Sequence, residues 1–238
     1  MEMMLLASLL FLGTHLGISS TGMRARMVAL LGERGYLAGY SLVAALTLGY
    51  LIWVYGALPR YDYLWLPSPI LYAVTKAVMP IATVLLVGGF MVRNPTAVGQ
   101  EGLLRATGTA VERETAARAE RVTLGVNRIT RHPFQWSVVL WASAHLLANG
   151  DSVSVVFFGT FLILGLAGSM LIDRKKAARL GDDWLAFART TSNVPFAAIL
   201  RGDNRLVAKE LILPVLVGLA VYALFYWGHP WLAGVRIA

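Results

Sequence analysis

Residues 134–172 read FQWSVVLWASAHLLANGDSVSVVFFGTFLILGLAGSMLI, two apolar runs on either side of Asn149-Gly150-Asp151. Asp151 is the one residue of this stretch that carries a full charge at neutral pH. Asn, Gly and Asp in succession are turn chemistry, because each supports a backbone bend that apolar residues resist. A helix crossing a bilayer needs about 20 mostly apolar residues. The stretch therefore reads as two spanning helices, at 134–148 and 153–172, closed into a tight hairpin.

Working outward with the same window gives four more segments, at 3–20, 36–58, 70–92 and 211–227. The expected fold is an all-α integral membrane protein with six transmembrane helices in a single domain over residues 1–238. Pro80 is expected to kink the third helix, and Pro214 falls in the expected first turn of the sixth, where it is tolerated. Composition agrees. The 238 residues are 57% hydrophobic and 14% charged, against about 25% charged residues in a soluble domain. Too little core volume exists in a water-soluble globule of this size to hide that much apolar surface. A soluble enzyme, a disordered chain and a disulfide-stapled domain are excluded. The absence of cysteine further excludes thiolate nucleophiles, iron–sulfur clusters, cysteine zinc sites and c-type haem attachment.

The net charge of +8 is explained by topology. Of 21 basic residues, 18 fall in three connections: Arg24, Arg26 and Arg34; seven arginines from Arg93 to Arg131; and eight residues from Arg174 to Lys209. Only Arg60, Lys76 and Arg236 lie elsewhere. The positive-inside rule places these connections in the cytoplasm and both termini outside. Tyr55, Tyr61, Tyr63, Trp65, Tyr72, Trp227 and Trp231 gather at the opposite boundary as an aromatic belt. The lipid bilayer is the partner this charge requires, and nucleic acid is not. The N-terminus carries Glu2 and no basic residue before its apolar run, so it reads as a retained helix rather than a signal peptide. The polar stretch 100–123, with Glu114 and Arg118 spaced to pair, reads as a helix lying along the cytoplasmic surface.

Ionisable residues within the spans are the informative ones. His15 stands in Gly13-Thr14-His15-Leu16-Gly17, where two glycines open the backbone to close approach by another helix or by a flat macrocycle. His145 follows Ala142-Ser143-Ala144 in an equally small, apolar setting. Two such histidines on separate helices are able to ligate one metal from opposite sides, or to hydrogen-bond neighbouring helices. Zinc is the weaker metal reading, since few other donors lie in the spans. Arg131 and His132 at the cytoplasmic mouth are candidate holders of a carboxylate. His229, at the outer end of the last helix, has no assigned role. Asp173, followed by Arg174, Lys175 and Lys176, reads as the end of the fifth helix in the headgroups.

The run Arg131-His132-Pro133-Phe134-Gln135-Trp136, its continuation from Leu140 to Asp151, the segment Thr14 to Ser20, and Arg60-Tyr61-Asp62 resemble the NnrU family, which includes the membrane-bound 15-cis-ζ-carotene isomerases. The resemblance runs from the first helix to about Arg201. It implies a b-type haem with His15 and His145 as iron ligands, and Arg131 and His132 as further cofactor-binding residues. It implies a hydrophobic small-molecule substrate entering from lipid, with no redox partner identified. For bacterial members it implies residence in the inner membrane and an association with denitrification. The isomerases carry a cysteine three residues before the second ligand, where this chain has Ala142. Isomerisation at a haem filled by two histidines requires one of them to leave the iron. The Arg-His-Pro run is also similar to that of the membrane methyltransferases, which use S-adenosylmethionine; their acidic pair is represented here by Ile172-Asp173, with one acid missing. The sequence thus leaves three functions open: a haem protein acting as a cis-trans isomerase or in nitrogen-oxide metabolism; a methyltransferase using Arg131, His132 and Asp173; and a non-enzymatic membrane subunit.

Overall fold

The computed structural model describes residues 1–18, 22–104, 112–235 and 237. Ser19 and Ser20 of the expected first helix, residues 105–111 of the surface stretch, and Arg236 lie outside the described residues. Helices form at all six expected positions: α1 (Glu2–Leu12), α2 (Gly22–Ala57), α3 (Pro69–Met91), α5 (Pro133–Ala148), α6 (Ser152–Leu180) and α9 (Ala208–Ala233). Shorter helices α4 (Glu112–Val122), α7 (Asp182–Thr190) and α8 (Ala197–Leu200) complete the order.

Four of these are long and apolar enough to cross a membrane: α2, α3, α6 and α9. The other two are shorter than a span requires. The α-helical part of α1 gives way to a π-helical turn, Gly13–Ile18. With 16 residues, α5 measures about 24 Å at 1.5 Å per residue, against a hydrocarbon core of about 30 Å. α2 is longer than its apolar segment because it contains the preceding connection, with a break at Gly32 (φ 71°, ψ 165°) that only glycine adopts without strain. α6 runs eight residues past the expected end at Ile172, which carries Asp173 and Lys176 on a helix rather than in a headgroup tail. Apolar side chains such as Leu213, Leu216, Leu224 and Trp227 cover the outside of α9, an exterior that suits lipid and not water.

The chain divides into two compact units, residues 1–75 with 142–171, and residues 76–141 with 172–238. The first unit holds α1, α2, the start of α3, and the hairpin between α5 and α6. There, Leu64 N donates to Gly150 O at 2.8 Å and Ser152 N to Asp62 O at 2.8 Å. Gly150 is required: a Cβ there would lie 1.8 Å from Trp65 O. Asp151 does more than support the turn. Its Oδ1 accepts Ser154 N at 2.8 Å, capping α6, and it pairs with Arg60 at 3.5 Å. The Arg60 guanidinium lies 4.1 Å from the Tyr55 ring centroid.

In the second unit α3 and α9 pack through small residues. A Cβ on Gly218 would stand 2.7 Å from Val84 Cα, and one on Gly88 would stand 2.5 Å from Val126 Cγ1. Pro80 leaves Lys76 O without its helical partner, and the Tyr222 hydroxyl reaches that oxygen at 3.5 Å. Pro214 lies in the second turn of α9, not the first, because the helix begins at Ala208. The stretch 100–123 contributes α4, which buries Ala119 and Val122 with Trp184 and Phe187 of α7 and with Leu104 and Leu180. The Glu114–Arg118 pair expected on α4 does not form. Glu114 is exposed, while Arg118 turns Nε and Nη2 inward, where they have no hydrogen-bond partner.

Candidate functional site

The first unit contains both histidines of the apolar helices, and aromatic rings connect them. His15 lies 4.1 Å from the Phe11 ring, and Phe11 lies 5.4 Å from Phe161. Phe161 is 5.2 Å from Phe157, which is 5.1 Å from Phe158, and Phe158 is 5.0 Å from His145. Three of these rings come from α6 at helical spacing, so one face of that helix supplies the wall that both histidines border. Tyr55 stacks on Phe157 at 4.0 Å and shares a hydrogen bond with Ser154 Oγ at 3.1 Å. The outer clamp of Arg60 and Asp151 is thereby continuous with the aromatic wall.

His15 is held in a defined orientation. Its Nδ1 stands 2.8 Å from Phe11 O, and a carbonyl only accepts, so Nδ1 carries the proton and Nε2 carries the lone pair. A metal-ligating histidine typically donates its other ring N–H in this way, because the donation fixes the ring and raises ligand basicity. The π-helical turn around His15 belongs to a class of irregularity frequent at functional positions. Nothing lies within 4 Å of where a Cβ on Gly13 or Gly17 would stand. Among the described residues no helix makes the close approach expected at these two glycines, whose Cβ positions face roughly opposite to the His15 side chain. These features fit a b-type haem bound through histidine. Among the described residues there is no group of three or more His, Cys, Asp or Glu side chains that could hold a metal ion.

Arg131 and His132 belong to the second unit, where they meet Asp173. The Arg131 fork is bidentate, with Nε to Oδ1 at 2.9 Å and Nη2 to Oδ2 at 2.7 Å. His132 Nε2 donates to Oδ1 at 2.6 Å and Asn193 Nδ2 to Oδ2 at 3.1 Å. Four donors thus fill the acceptor capacity of one carboxylate. The carboxylate that Arg131 and His132 hold in this structure is the chain's own. His132 is fully buried, and this desolvation, opposed by the hydrogen bond to Asp173, keeps its pKa below the ordinary imidazole value. Among the described residues its Nδ1 meets no partner at hydrogen-bond geometry. Thr130, Asn127 and Asn94 complete the polar interior. Asn94 Nδ2 donates to Asn127 Oδ1 at 3.1 Å and to Arg131 O at 3.0 Å.

Asp173 and Lys176 are the two positions whose reading changes most. Neither ends a helix in headgroups: Lys176 is buried and its Nζ donates to Pro95 O at 2.8 Å. The four-residue cluster Asp173 to Lys176 hid this, because the sequence does not show that α6 continues and turns two of its charges inward. His229 caps the end of α9 through Nδ1, 2.8 Å from Val235 O.

A family model described as NnrU protein matches residues 3–237. The chain belongs to the NnrU family. Among curated proteins, this NnrU chain is 35% identical over 114 residues to the chloroplastic 15-cis-zeta-carotene isomerase of Arabidopsis thaliana, covering 46% of the chain and 31% of the plant protein. It is 34% identical over 110 residues to the corresponding Zea mays isomerase, covering 44% and 30%. The matched part is thus about a third of each plant protein's length. No solved structure matches.

Proposed function

We propose that this NnrU protein is a membrane-embedded haem b protein that catalyses cis-trans isomerisation of a lipid-soluble polyene. His15 and His145 are the residues that would hold the haem iron in this reading. The single observation that carries it is the Nδ1–Phe11 O hydrogen bond, which points the His15 lone pair to Nε2 as a metal-ligand histidine requires. Family membership and the similarity to proteins named as carotene isomerases supply the substrate class. When bound, the haem supplies an iron centre whose electronics are set by two imidazoles.

The chain's own residues then have separable tasks. Phe11 O fixes the His15 ring. Phe158, buried and packed on Phe157, excludes water beside His145. The apolar exterior of the spanning helices admits such a substrate laterally from lipid. Ala142, where the isomerases have cysteine, leaves histidine as the ligand on both sides. We further propose that the chain makes six crossings of a bacterial cytoplasmic membrane with both termini outside, on the charge distribution of its connections. A methyltransferase reading would need Asp173 available, whereas its oxygens are taken by Arg131, His132 and Asn193.

An absorption spectrum of detergent-purified, haem-supplemented protein, with and without dithionite, tests the proposal. A Soret band that disappears in His15→Ala and in His145→Ala, but persists in His229→Ala, is the expected result. No Soret band in the unaltered protein overturns it.

A further inference from the structure

Between α7 and α9 the run Val194-Pro195-Phe196-Ala197-Ala198-Ile199-Leu200 is apolar and uncharged, and Arg201 ends it. Seven residues are far too few to cross a bilayer. In water such a run would turn inward, as Ala198 does, fully buried. Val194, Phe196 and Leu200 do not: all three are exposed, Leu200 at 85%. Leu206, just before α9, is exposed as well.

This exposure is built into the loop. Ser192 Oγ accepts Ala198 N at 3.0 Å and donates to Val194 O at 2.8 Å. Leu200 N donates to Phe196 O at 2.9 Å, one helical turn back. Phe196 is held at φ 64°, a left-handed conformation that bulky residues avoid. A strained backbone thus keeps an apolar side chain at the surface, the reverse of what a water-facing loop requires.

The hydrogen bonds that tie the segment down also set its depth. Arg131 N donates to Ser192 O at 2.9 Å and Phe196 N to Ile129 O at 2.8 Å, just before α5 begins at Pro133. Arg128 donates to Asn204 Oδ1 at 3.0 Å and, through Nε and Nη2, to both oxygens of Glu210 in the first turn of α9. The segment is therefore fixed at the level where two apolar helices begin, the boundary of a bilayer that α9 is long enough to cross. Through Leu206 its exposed side chains continue into the apolar exterior of α9. Arg205 and Lys209 border it, both exposed and in no ion pair among the described residues.

We propose that segment 194–206 lies in the membrane interface, with Val194, Phe196 and Leu200 at the headgroup–acyl boundary and Arg205 and Lys209 on anionic phospholipid headgroups. Apolar side chains flanked by basic ones are how a segment lying in the plane of a membrane holds lipid. The inference rests on α9 crossing a bilayer and is independent of the haem.

The chain has no cysteine, so one introduced cysteine takes a nitrobenzoxadiazole label at a single position. The full chain in nanodiscs carries the label at Leu200→Cys, at Leu216→Cys on the exterior of α9, or at Asp182→Cys at the start of α7. All three side chains are exposed, so the fold is kept, as unchanged unfolding midpoints will confirm. Quenching by shallow doxyl lipids is compared with quenching by aqueous iodide. The Leu200→Cys label is expected to be quenched by lipid and to be at least about twofold less open to iodide than the Asp182→Cys label. Doxyl-phosphatidylglycerol is expected to quench it about twofold more than doxyl-phosphatidylcholine at equal content, a difference lost when Arg205→Gln and Lys209→Gln are added. A Leu200→Cys label quenched by iodide and not by lipid places the segment in water, and one shielded from both places it against protein; either overturns the proposal. Equal quenching by the two headgroups overturns the role of Arg205 and Lys209. Absence of lipid quenching at Leu216→Cys would instead refute the span of α9.

Discussion

His132 Nε2 stands 2.6 Å from Asp173 Oδ1, and the same oxygen accepts Arg131 Nε at 2.9 Å. One carboxylate on α6 therefore holds both residues that precede α5. Arg131 is 13% exposed at its side chain and Asp173 19%, so the pair is mostly shielded. Removing one member of such a pair leaves a buried charge without compensation. Asp173→Asn is expected to lower stability by about 2–4 kcal/mol. Arg131→Lys is expected to cost less, since it keeps the charge but loses the two-pronged geometry. Thermal unfolding in one detergent ranks them; equal midpoints for Asp173→Asn and the unaltered protein would remove Asp173 from this role.

The same contact has a pH dependence. Burial holds the His132 pKa below its ordinary value of 6.5. The unfolded chain therefore takes up a proton at higher pH than the folded one. The stabilisation associated with neutral His132 is complete above the unfolded value and is lost as pH falls from about 6.5 towards the depressed folded value. Asp173, Arg131 and Gln135 are the groups that act on this ring. Unfolding midpoints measured from pH 7.5 to 5 should fall more steeply in the unaltered protein than in His132→Gln. Parallel curves would show that His132 does not titrate on unfolding.

Gly150 tests the hairpin on which the fold reading began. A methyl group there meets Trp65 O at 1.8 Å, an overlap that the backbone itself must relieve. Gly150→Ala is expected to break the Leu64 N–Gly150 O bond and to destabilise the protein by at least about 2 kcal/mol. Gly159→Ala on α6, where nothing lies within 4 Å, is the matched control and should be neutral or slightly stabilising. Thermal unfolding of the two variants decides the point, and equal effects would contradict the hairpin geometry.

The turn at Asn149-Gly150-Asp151 was legible because turn chemistry and hydropathy are local properties. So were the apolar helices, since apolar length is countable, although only four of the six expected segments form helices long and apolar enough to cross a membrane. Charge asymmetry marked Arg60 as unusual, but its pairing with Asp151 required residues 91 positions apart to meet. The role of Asp173 was harder still. Beside Arg174, Lys175 and Lys176 it looks like the solvated end of a helix, and only the continuation of α6 to Leu180 turns it towards Arg131. His15 and His145 stood out as rare ionisable residues in apolar runs. The aromatic wall between them did not, because Phe157, Phe158 and Phe161 are indistinguishable from lipid-facing residues until the packing partners are known.

The glycines beside His15 separate fold from cofactor. Gly13 and Gly17 have no neighbour within 4 Å of a built Cβ, so Gly13→Ala and Gly17→Ala remove no packing. Replacing helical glycine by alanine restricts the unfolded chain and favours helix by about 0.5–1 kcal/mol, an effect the π-helical turn will reduce. The apoprotein is therefore expected to be as stable as before, or slightly more so. If a flat macrocycle lies against the face of the turn that Gly13 and Gly17 form, the added methyl groups obstruct it. The double variant should then show a Soret absorbance per protein reduced several-fold with the unfolding midpoint of the haem-free protein unchanged. Full haem loading in a stable double variant would place the ring away from this glycine face, whereas loss of both haem and fold would show that the glycines serve helix packing.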